Sequence, residues 1–235
     1  MSNDEIVVFL PCRAGSERVP HKNTRPFAGD ENGLLGIKLM QLESVQSVAS
    51  IILDSNDDVV LERGESIRKR WRGQSELLVR ERPDHLGASN TTTDALIAYA
   101  LVDFADAHML WTHVTSPFIQ TDVYERMIQE YKDKLSQGYD SLMTVNKLQT
   151  FLWGENGPMN YKTDELRWPR TQDIQPVYEV NSGAFIVPSN TGKKRGDRIG
   201  EKPYLFELSH AEAFDIDWPA DFEMAQKLWI RGEKE

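Results

Sequence analysis

The chain has 235 residues, with 27 Lys and Arg against 37 Asp and Glu, which gives a formal net charge of −10. This acidic balance argues against a nucleic-acid polymer as partner, and no apolar run approaches the roughly 20 residues that a membrane-spanning helix needs. The single cysteine, Cys12, excludes an internal disulfide and a zinc site built from cysteines. Because the first residues are acidic ahead of the apolar run, the reverse of a secretory signal, we expect a cytoplasmic protein.

Short apolar runs alternate with amphipathic segments up to residue 145, a pattern typical of βαβ units and a mainly parallel sheet. Strands are predicted at Ile6–Pro11, Ile51–Leu53, Glu76–Val79, Met109–Val114 and Ser141–Val145, and later at Asn181–Val187, Tyr204–Leu208 and Phe214–Trp218. Helices are predicted at Leu34–Val48, at Val59–Arg70, from residue 90 or 91 to about Phe104, from 121 or 122 to about Leu135, and from Pro219 to about Trp229. Ligands of such sheets bind beyond the carboxyl ends of the strands, so we expect the site in the loops after strands one, two and four.

The regular pattern breaks between residues 146 and 180, a stretch that contains Pro158, Pro169 and Pro176. Loops of this length without structure of their own are uncommon inside a compact domain. We therefore interpret residues 1–235 as one domain in which residues 146–180 form a small extension that packs on another surface, such as a second subunit.

The loop after the first strand is basic although the chain is acidic. It reads PCRAGSERVPHKN over residues 11–23 and matches neither G-x-G-x-x-G nor G-x-x-x-x-G-K-[ST]. Gly15 permits a close approach of the backbone to a ligand, and the N–H groups around residues 14–16 could form an anion-binding nest. Four cations oppose the single Glu17 here: Arg13, Arg18, Lys22 and Arg25. The loop is either a phosphate-binding loop or a solvated basic surface.

Two carboxylates stand two positions apart near the end of the chain, Asp215 and Asp217. On a strand such residues face the same side, where they repel each other unless one holds a proton. A divalent cation removes that repulsion, and Mg²⁺ accepts one or two carboxylates together with phosphate oxygens and water. The commoner alternative is an exposed acidic pair beside Lys or Arg.

Other polar groups lie near predicted strand ends. His113 lies at the end of the fourth strand and is either a base or a hydrogen-bonded structural residue. Arg82 and Arg170 are each either a clamp for a carboxylate or phosphate or a surface arginine. Cys12 has no visible paired base, so we interpret it as inert packing.

Seven segments, in this order, resemble the acylneuraminate (CMP-sialic acid) cytidylyltransferases and their relatives for Kdo, legionaminate and pseudaminate. They are PCRAGSERVPHKN at 11–23, ILDSND at 52–57, ERPDHLGASNTTTDAL at 81–96, HVTSPF at 113–118, RTQD at 170–173, NSGAFIV at 181–187 and FDIDWPAD at 214–221. Only the first segment is specific by itself. The common order and spacing of all seven, over nearly the whole chain, make the resemblance strong.

The resemblance implies a nucleotidyltransferase-type α/β fold, Rossmann-like and three-layered, with residues 146–180 as the dimerising extension of a homodimer. It implies that CTP and a sugar acid react, with Mg²⁺, to give CMP–sugar acid and pyrophosphate. The anomeric hydroxyl attacks the α-phosphate in line, and charge builds on phosphate oxygens that cations and metal stabilise.

The resemblance also implies roles for the matching residues. Those implied to be catalytic are Arg13, Lys22, Asp215 and Asp217, of which the two aspartates are metal ligands and one could help to deprotonate the hydroxyl. Those implied to bind the nucleotide are Arg13, Ala14, Gly15, Ser16, Lys22, Asn23, Arg82 and Ser89. Those implied to bind the sugar acid are His113, Thr115, Ser116, Arg170, Gln172 and Asn181, with Arg170 assigned to its carboxylate.

The chain departs from the family pattern at two places. Many relatives have Lys where this chain has Glu17, and many have Gln-Pro where this chain has His113-Val114, so the acceptor is left open. The alternatives are the same fold acting on a Kdo-type acid or a phosphonate, the same fold using another nucleotide, and a non-catalytic nucleotide-binding protein. The presence of Arg13, Lys22 and both aspartates argues against the last.

Overall fold

Strands and helices alternate through residues 5–88, 90–102, 104, 106–164 and 166–232, which are the residues that the computed structural model describes. The strands are β1 (Ile6–Cys12), β2 (Ser50–Ser55), β3 (Glu76–Glu81), β4 (His108–Thr112), β5 (Ser141–Leu148), β6 (Trp153–Gly154), β7 (Gly157–Pro158), β8 (Val177–Pro188) and β9 (Pro203–Glu207). The helices are α1 (Gly33–Glu43), α2 (Asp58–Arg68), α3 (Asp84–Gly87), α4 (Thr93–Val102), α5 (Thr121–Leu135), α6 (Ser189–Arg195) and α7 (Pro219–Gly232), and a 3₁₀ turn covers Thr171–Asp173.

Seven of the strands form one sheet in the order β3-β2-β1-β4-β8-β5-β9. The strands β1, β2, β3 and β4 are parallel neighbours, and β5 and β9 are parallel to each other. Within the described part of this seven-stranded sheet, only β8 runs antiparallel to its neighbours, β4 and β5. The predicted mainly parallel α/β sheet is therefore confirmed. Its carboxyl edge gathers the loops after β1, β2 and β4.

The first strand contributes to the core on both faces of the sheet, because successive side chains of a strand point to opposite sides. Ile6, Val8 and Leu10 join a core that also contains buried residues of α1, α2, α5 and α7. Val7 and Phe9 join a second core on the face that α4 covers. The sheet thus lies between two helical layers, as predicted.

The irregular stretch is shorter than the predicted 146–180. Residues 146–148 belong to β5 and residues 177–180 belong to β8, where the two strands pair antiparallel from Leu148 opposite Val177. Between them the small β6–β7 hairpin is held by Asn160, whose side chain donates to the carbonyls of Thr150 and Gln175 at 2.9 and 3.0 Å. The extension is therefore residues 149–176.

The predicted strand at Phe214–Trp218 is wrong, because this segment runs as irregular backbone between a turn and α7. Among the described residues, one backbone-to-backbone hydrogen bond joins it to the loop after β4, from the Ile216 N–H to the Thr115 carbonyl at 2.9 Å. A strand needs a continuous partner, and α7 begins at Pro219, directly after the segment. The two carboxylates are therefore positioned by the loop after β4.

Candidate active site

A cavity of about 270 Å³ opens at the carboxyl edge of the sheet, between the loop after β1 and the loop after β4. We call it the β1-loop cavity. The predicted site residues that line it are Arg13, Ser16, Lys22, Asn23, His113, Thr115 and Asp217. Residues from three distant parts of the chain therefore meet where a mainly parallel sheet presents its ligands.

The loop after β1 is fixed by two asparagine side chains. The Ala14 N–H donates to Asn56 Oδ1 at 3.0 Å, and Asn23 Nδ2 donates to the Arg13 carbonyl at 3.2 Å. Gly15 has φ of 72°, a left-handed conformation that glycine adopts without strain. Since Asn56 already binds the Ala14 N–H, an anion-binding nest here would use the N–H groups that follow it.

The cations of this loop divide into two groups. Arg13, Arg18 and Lys22 line the cavity. The guanidinium of Arg25 instead lies 5.0 Å from the ring centroid of Phe222 in α7. The basic composition of the loop therefore overstates the charge that faces the cavity.

Asp217 faces two of these cations. Its Oδ1 lies 3.4 Å from Arg18 Nη1 and 3.7 Å from Lys22 Nζ, and its side chain is 51% exposed. Lys22 Nζ also donates to the Ile216 carbonyl at 2.7 Å. The ammonium of Lys22 is thus held between the acidic segment and the cavity.

Asp215 is less exposed than Asp217 and contacts the loop that follows β4. Burial raises the pKa of its carboxyl group, and the nearby Asp217 adds to the rise, whereas a hydrogen bond from the Thr115 side chain and the charge of Lys22 oppose it. Ser116 Oγ donates to Asp215 Oδ1 at 3.4 Å. Thr115 and Ser116 therefore hold the acidic pair beside the cavity.

His113 is neutral in this environment. Its Nε2 accepts a hydrogen bond from Trp111 Nε1 at 2.9 Å. Burial lowers the pKa of the imidazole to about 3, and the charges of Arg198, Lys22 and Lys38 contribute. A ring whose lone pair is occupied and whose pKa is this low cannot serve as a general base near neutral pH. It can offer a ligand the Nδ1 proton.

A second cavity, also of about 270 Å³, lies on the α4 side of the β1-loop cavity. We call it the α4 cavity. Its walls include Arg82, Thr91–Thr93 and Arg198, and it shares Pro11, Arg13 and His113 with the β1-loop cavity. The two cavities therefore meet at Arg13 and His113.

Arg82 reaches the α4 cavity but is anchored by an ion pair. Its Nε lies 2.5 Å from Asp54 Oδ1, its Nη2 donates to the Asp54 carbonyl at 2.9 Å, and both residues are buried. Asp54 also accepts from Arg80 at 2.7 Å and from the Tyr99 hydroxyl at 3.1 Å. Ser89, predicted beside Arg82 on the nucleotide side, lies outside the described residues.

Four predicted acceptor-binding residues, Ser116, Arg170, Gln172 and Asn181, line neither cavity within one chain. Arg170 and Gln172 are exposed on the extension. Asn181 Oδ1 accepts from Thr144 Oγ1 at 2.6 Å, and Asn181 Nδ2 donates to Asn146 Oδ1 at 2.9 Å, which binds β8 to β5. Their roles toward a sugar acid stay predictions.

Two basic residues near the site were not predicted from the sequence. Arg198 belongs to a run of charges after α6 that is typical of a surface. Lys38 is fully buried in α1, where it is surrounded by leucines and isoleucine. A lysine inside an otherwise apolar helix was the available signal.

Lys38 stabilises the loop after β4 by hydrogen bonds to carbonyl groups of that loop. Its Nζ donates to the carbonyls of Ser116 and Ile119, at 2.9 and 3.3 Å, and to the Tyr124 hydroxyl at 2.9 Å. Burial lowers its pKa to about 7. The loop that carries His113 and Thr115 thus rests on a buried amine.

The comparisons with known proteins agree with this geometry. A family model described as cytidylyltransferase matches residues 7–235. The chain is 25% identical over 235 residues, 95% of each chain, to the CMP-N,N'-diacetyllegionaminic acid synthase of Legionella pneumophila. It is 25% identical over 233 residues, 94% of each chain, to a pseudaminic acid cytidylyltransferase of Campylobacter jejuni.

A solved structure supports the same fold. CMP:2-keto-3-deoxy-manno-octonic acid synthetase complexed with CTP superposes with a TM-score of 0.64 at 13% identity, over 97% of this chain and 99% of that one. None of the helices within the described ranges has the length and apolarity needed to cross a membrane. The same ranges contain no cluster of three or more His, Cys, Asp or Glu side chains that could hold a metal.

Proposed function

This chain belongs to the cytidylyltransferase family, and we propose that it activates a sugar acid with CTP, giving CMP–sugar acid and pyrophosphate. The observation that carries the proposal is the β1-loop cavity, where Arg13, Ser16 and Lys22 face Asp217 at the carboxyl edge of the sheet. Cations there can bind a triphosphate, and a carboxylate beside it can hold the accompanying cation.

The acceptor that we propose is a nonulosonic acid of the legionaminic or pseudaminic kind. Two relatives that align with nearly the whole chain are named for these acids. The polar groups of His113 and Thr115, next to the triphosphate side, would bind hydroxyl groups of such a sugar. The His113 Nδ1 proton would be a donor toward it, since Nε2 is already occupied.

The residues of the site suit in-line transfer at the α-phosphate. Arg13 and Lys22 would bind the phosphates and stabilise the charge that builds on their oxygens. Asp215, the less exposed member of the acidic pair, would help to remove the proton of the attacking hydroxyl. Thr115 and Ser116 would hold it in position for that transfer.

Asp215 and Asp217 fit a divalent cation. Both are oxygen donors, and burial together with the neighbouring charge makes the ionised form of Asp215 costly, a cost that a bound cation removes. We propose that they hold Mg²⁺, which would supply positive charge toward the phosphate oxygens.

We also propose that the extension joins two chains into a homodimer. Four large apolar side chains within residues 149–176 are exposed: Trp153, Met159, Leu166 and Trp168. Apolar groups gathered in one small extension mark a protein interface. A cytoplasmic location follows from the proposed use of CTP.

The test is pyrophosphate release from a panel of CTP, ATP, UTP and GTP, each with Mg²⁺ and with legionaminic, pseudaminic, N-acetylneuraminic or Kdo acid. We expect turnover with CTP and a nonulosonic acid. The variant Lys22→Met should lower kcat/KM by about 100-fold, which corresponds to about 3 kcal/mol, whereas Lys132→Met on the exposed side of α5 should not. Preference for another nucleotide, or no turnover of CTP with any acid, would overturn the proposal.

A further inference from the structure

Arg198 places a guanidinium group at the wall of the α4 cavity, on the same face of the sheet as α4. It lies in the segment between α6 and β9, next to Ile199, which packs against the core on this face. Its guanidinium carbon lies 3.9 Å from the ring centroid of Phe185 and 5.0 Å from that of Trp111. The side chain is therefore held by two aromatic rings in the wall of the cavity.

Apart from these two rings, the guanidinium has no partner among the described residues, since it takes part in no hydrogen bond and no ion pair there. Burial lowers the pKa of Arg198 to about 10, and only the adjacent Asp197 opposes the shift. The Asp197 carboxylate accepts the Ile199 N–H at 3.3 Å. A desolvated guanidinium with unused planar donors is suited to a bidentate anion.

The α4 cavity lacks a negative charge that could balance it. No Asp or Glu of the described residues lines this cavity, whereas Arg13, Arg82 and Arg198 do. Asp54 compensates Arg82 from behind the wall. The charge of Arg198 therefore favours an anionic group in the cavity, beside the apolar side chains of Leu86 and Leu96.

The chemistry of the reaction indicates which anion this is. In a 2-keto sugar acid the carboxylate and the attacking anomeric hydroxyl are bonded to the same carbon atom, and the hydroxyl must come within about 3.5 Å of the α-phosphorus. In-line displacement places the attacking oxygen opposite the leaving pyrophosphate. With pyrophosphate in the β1-loop cavity, the acceptor approaches across Arg13 and His113, which also line the α4 cavity.

We propose that Arg198 binds the carboxylate of the acceptor sugar acid, so that the side of the α4 cavity formed by Trp111, His113 and Arg198 holds the acid end of that substrate. This assignment rests on the proposed function. It gives the carboxylate a partner within the same chain, where Arg170 of the extension lines neither cavity.

The experiment compares the wild type with Arg198→Met, Arg198→Lys and the control Arg195→Met, which changes an exposed arginine three positions earlier in the same basic run. Kinetics are measured with the acid and with its carboxamide, in which the carboxylate is neutral. We expect Arg198→Met to raise the KM for the acid by about 10- to 100-fold and to leave the KM for CTP within about twofold. Arg198→Lys should recover part of the loss, and Arg195→Met should behave as the wild type.

The carboxamide isolates the contact. The KM of the wild type should rise with the carboxamide about as much as the KM of Arg198→Met rises with the acid. The KM of the variant should no longer differ between the two acceptors. A rise in the KM for CTP alone would assign Arg198 to the nucleotide and overturn the proposal. A ratio of carboxamide KM to acid KM that is equal in wild type and variant would also overturn the proposal.

Two readouts keep this result separate from failure of the proposed function. If the wild type turns over no acid with CTP, both proposals are overturned. If the wild type is active and the acid KM of Arg198→Met is unchanged, only the Arg198 assignment fails. Protection of the variant by CTP in a thermal melt shows that it is folded, and Arg198→Lys serves if Arg198→Met is not.

Discussion

At the scale of single residues, Asp217 joins the acidic segment to the basic loop. Its carboxylate lies within 4 Å of both Arg18 and Lys22, although about 200 residues separate them in sequence. Exposed ion pairs of this kind contribute about 0 to 1 kcal/mol to stability. These ion pairs therefore add little to folding, and the role of Asp217 in holding a divalent cation stays a proposal.

Replacing Asp217 by Asn is expected to lower kcat/KM by at least about 100-fold, because the site loses a ligand of the proposed Mg²⁺. The unfolding free energy should change by less than about 1 kcal/mol. Pyrophosphate release and urea unfolding measure the two effects, with Asp133→Asn on the exposed side of α5 as control. Turnover within twofold of the wild type would contradict the metal assignment.

Lys38 makes the stability depend on pH with a defined sign. Burial lowers its pKa from 10.5 to about 7, so between these values the unfolded chain binds more protons than the folded chain. The contribution of Lys38 to stability must therefore rise with pH over this window, by up to about 1.4 kcal/mol per unit.

The measurement is urea unfolding of the wild type and of Lys38→Met at about pH 7 and about pH 9. The unfolding free energy of the wild type minus that of Lys38→Met should be larger at the higher pH. The same difference for Lys132→Met, at an exposed position, should not change with pH. A difference for Lys38→Met that is also constant with pH would contradict burial of the amine in the folded state.

At the scale of elements, β8 leads from the extension into the sheet, where it lies between β4 and β5. Its register with β5 shifts between Met143 and Val145, next to Ser182 with φ of 58°. A bulge of this kind bends the strand and increases its twist. The bend places Gly183 in close contact with the loop after β4 and with β5.

Gly183→Ala is expected to destabilise the protein by about 1 to 3 kcal/mol. The added Cβ would lie 2.8 Å from Ile119 Cδ1 and 3.1 Å from Thr144 Oγ1, both of which are in the packed interior. Gly232→Ala, at the end of α7 with no atom within 4 Å, should be neutral or slightly stabilising. Equal urea midpoints for the two variants would contradict the close packing at Gly183.

The element pattern of the first half was predictable, because apolar runs such as Ile6–Pro11 are fixed by local periodicity and by burial on both faces. The strand predicted at Phe214–Trp218 was wrong for a physical reason. Its alternation of apolar and acidic residues satisfies a strand pattern, but pairing depends on whether an edge of the sheet is free beside it. That edge is set by the remainder of the fold.

At the scale of the whole molecule, the net charge of −10 does not describe the cavities, because three cations oppose Glu17 and Asp217 in the β1-loop cavity and three arginines line the α4 cavity. Arg13, Arg18 and Lys22 converge on one cavity, and Arg198 lies in the adjoining one. Low-dielectric walls focus the field of such a cluster toward an anionic ligand. An acidic protein can therefore bind a triphosphate and a sugar acid.

The proposed homodimer is tested through the extension. Trp168→Glu should shift sedimentation from dimer to monomer, since it would bury a charge in an apolar interface. Trp168 is 64% exposed in the single chain. Val102→Glu, at a 73% exposed position on α4, should leave the assembly unchanged. A wild type that sediments as a monomer would contradict the proposal.

The sequence by itself determined the α/β class, the basic loop after β1 and the acidic pair, because these depend on local patterns and on the order of motifs. Only the tertiary structure decided which of these groups meet. Asp217 lies beside Lys22, and His113 is neutral beside Trp111. Arg25 and Asn181 line neither cavity, whereas Arg198 lines the α4 cavity. The sequence shows which side chains are charged. Which partners a charged side chain has, and how far it is desolvated, depend on distances between residues that are far apart along the chain.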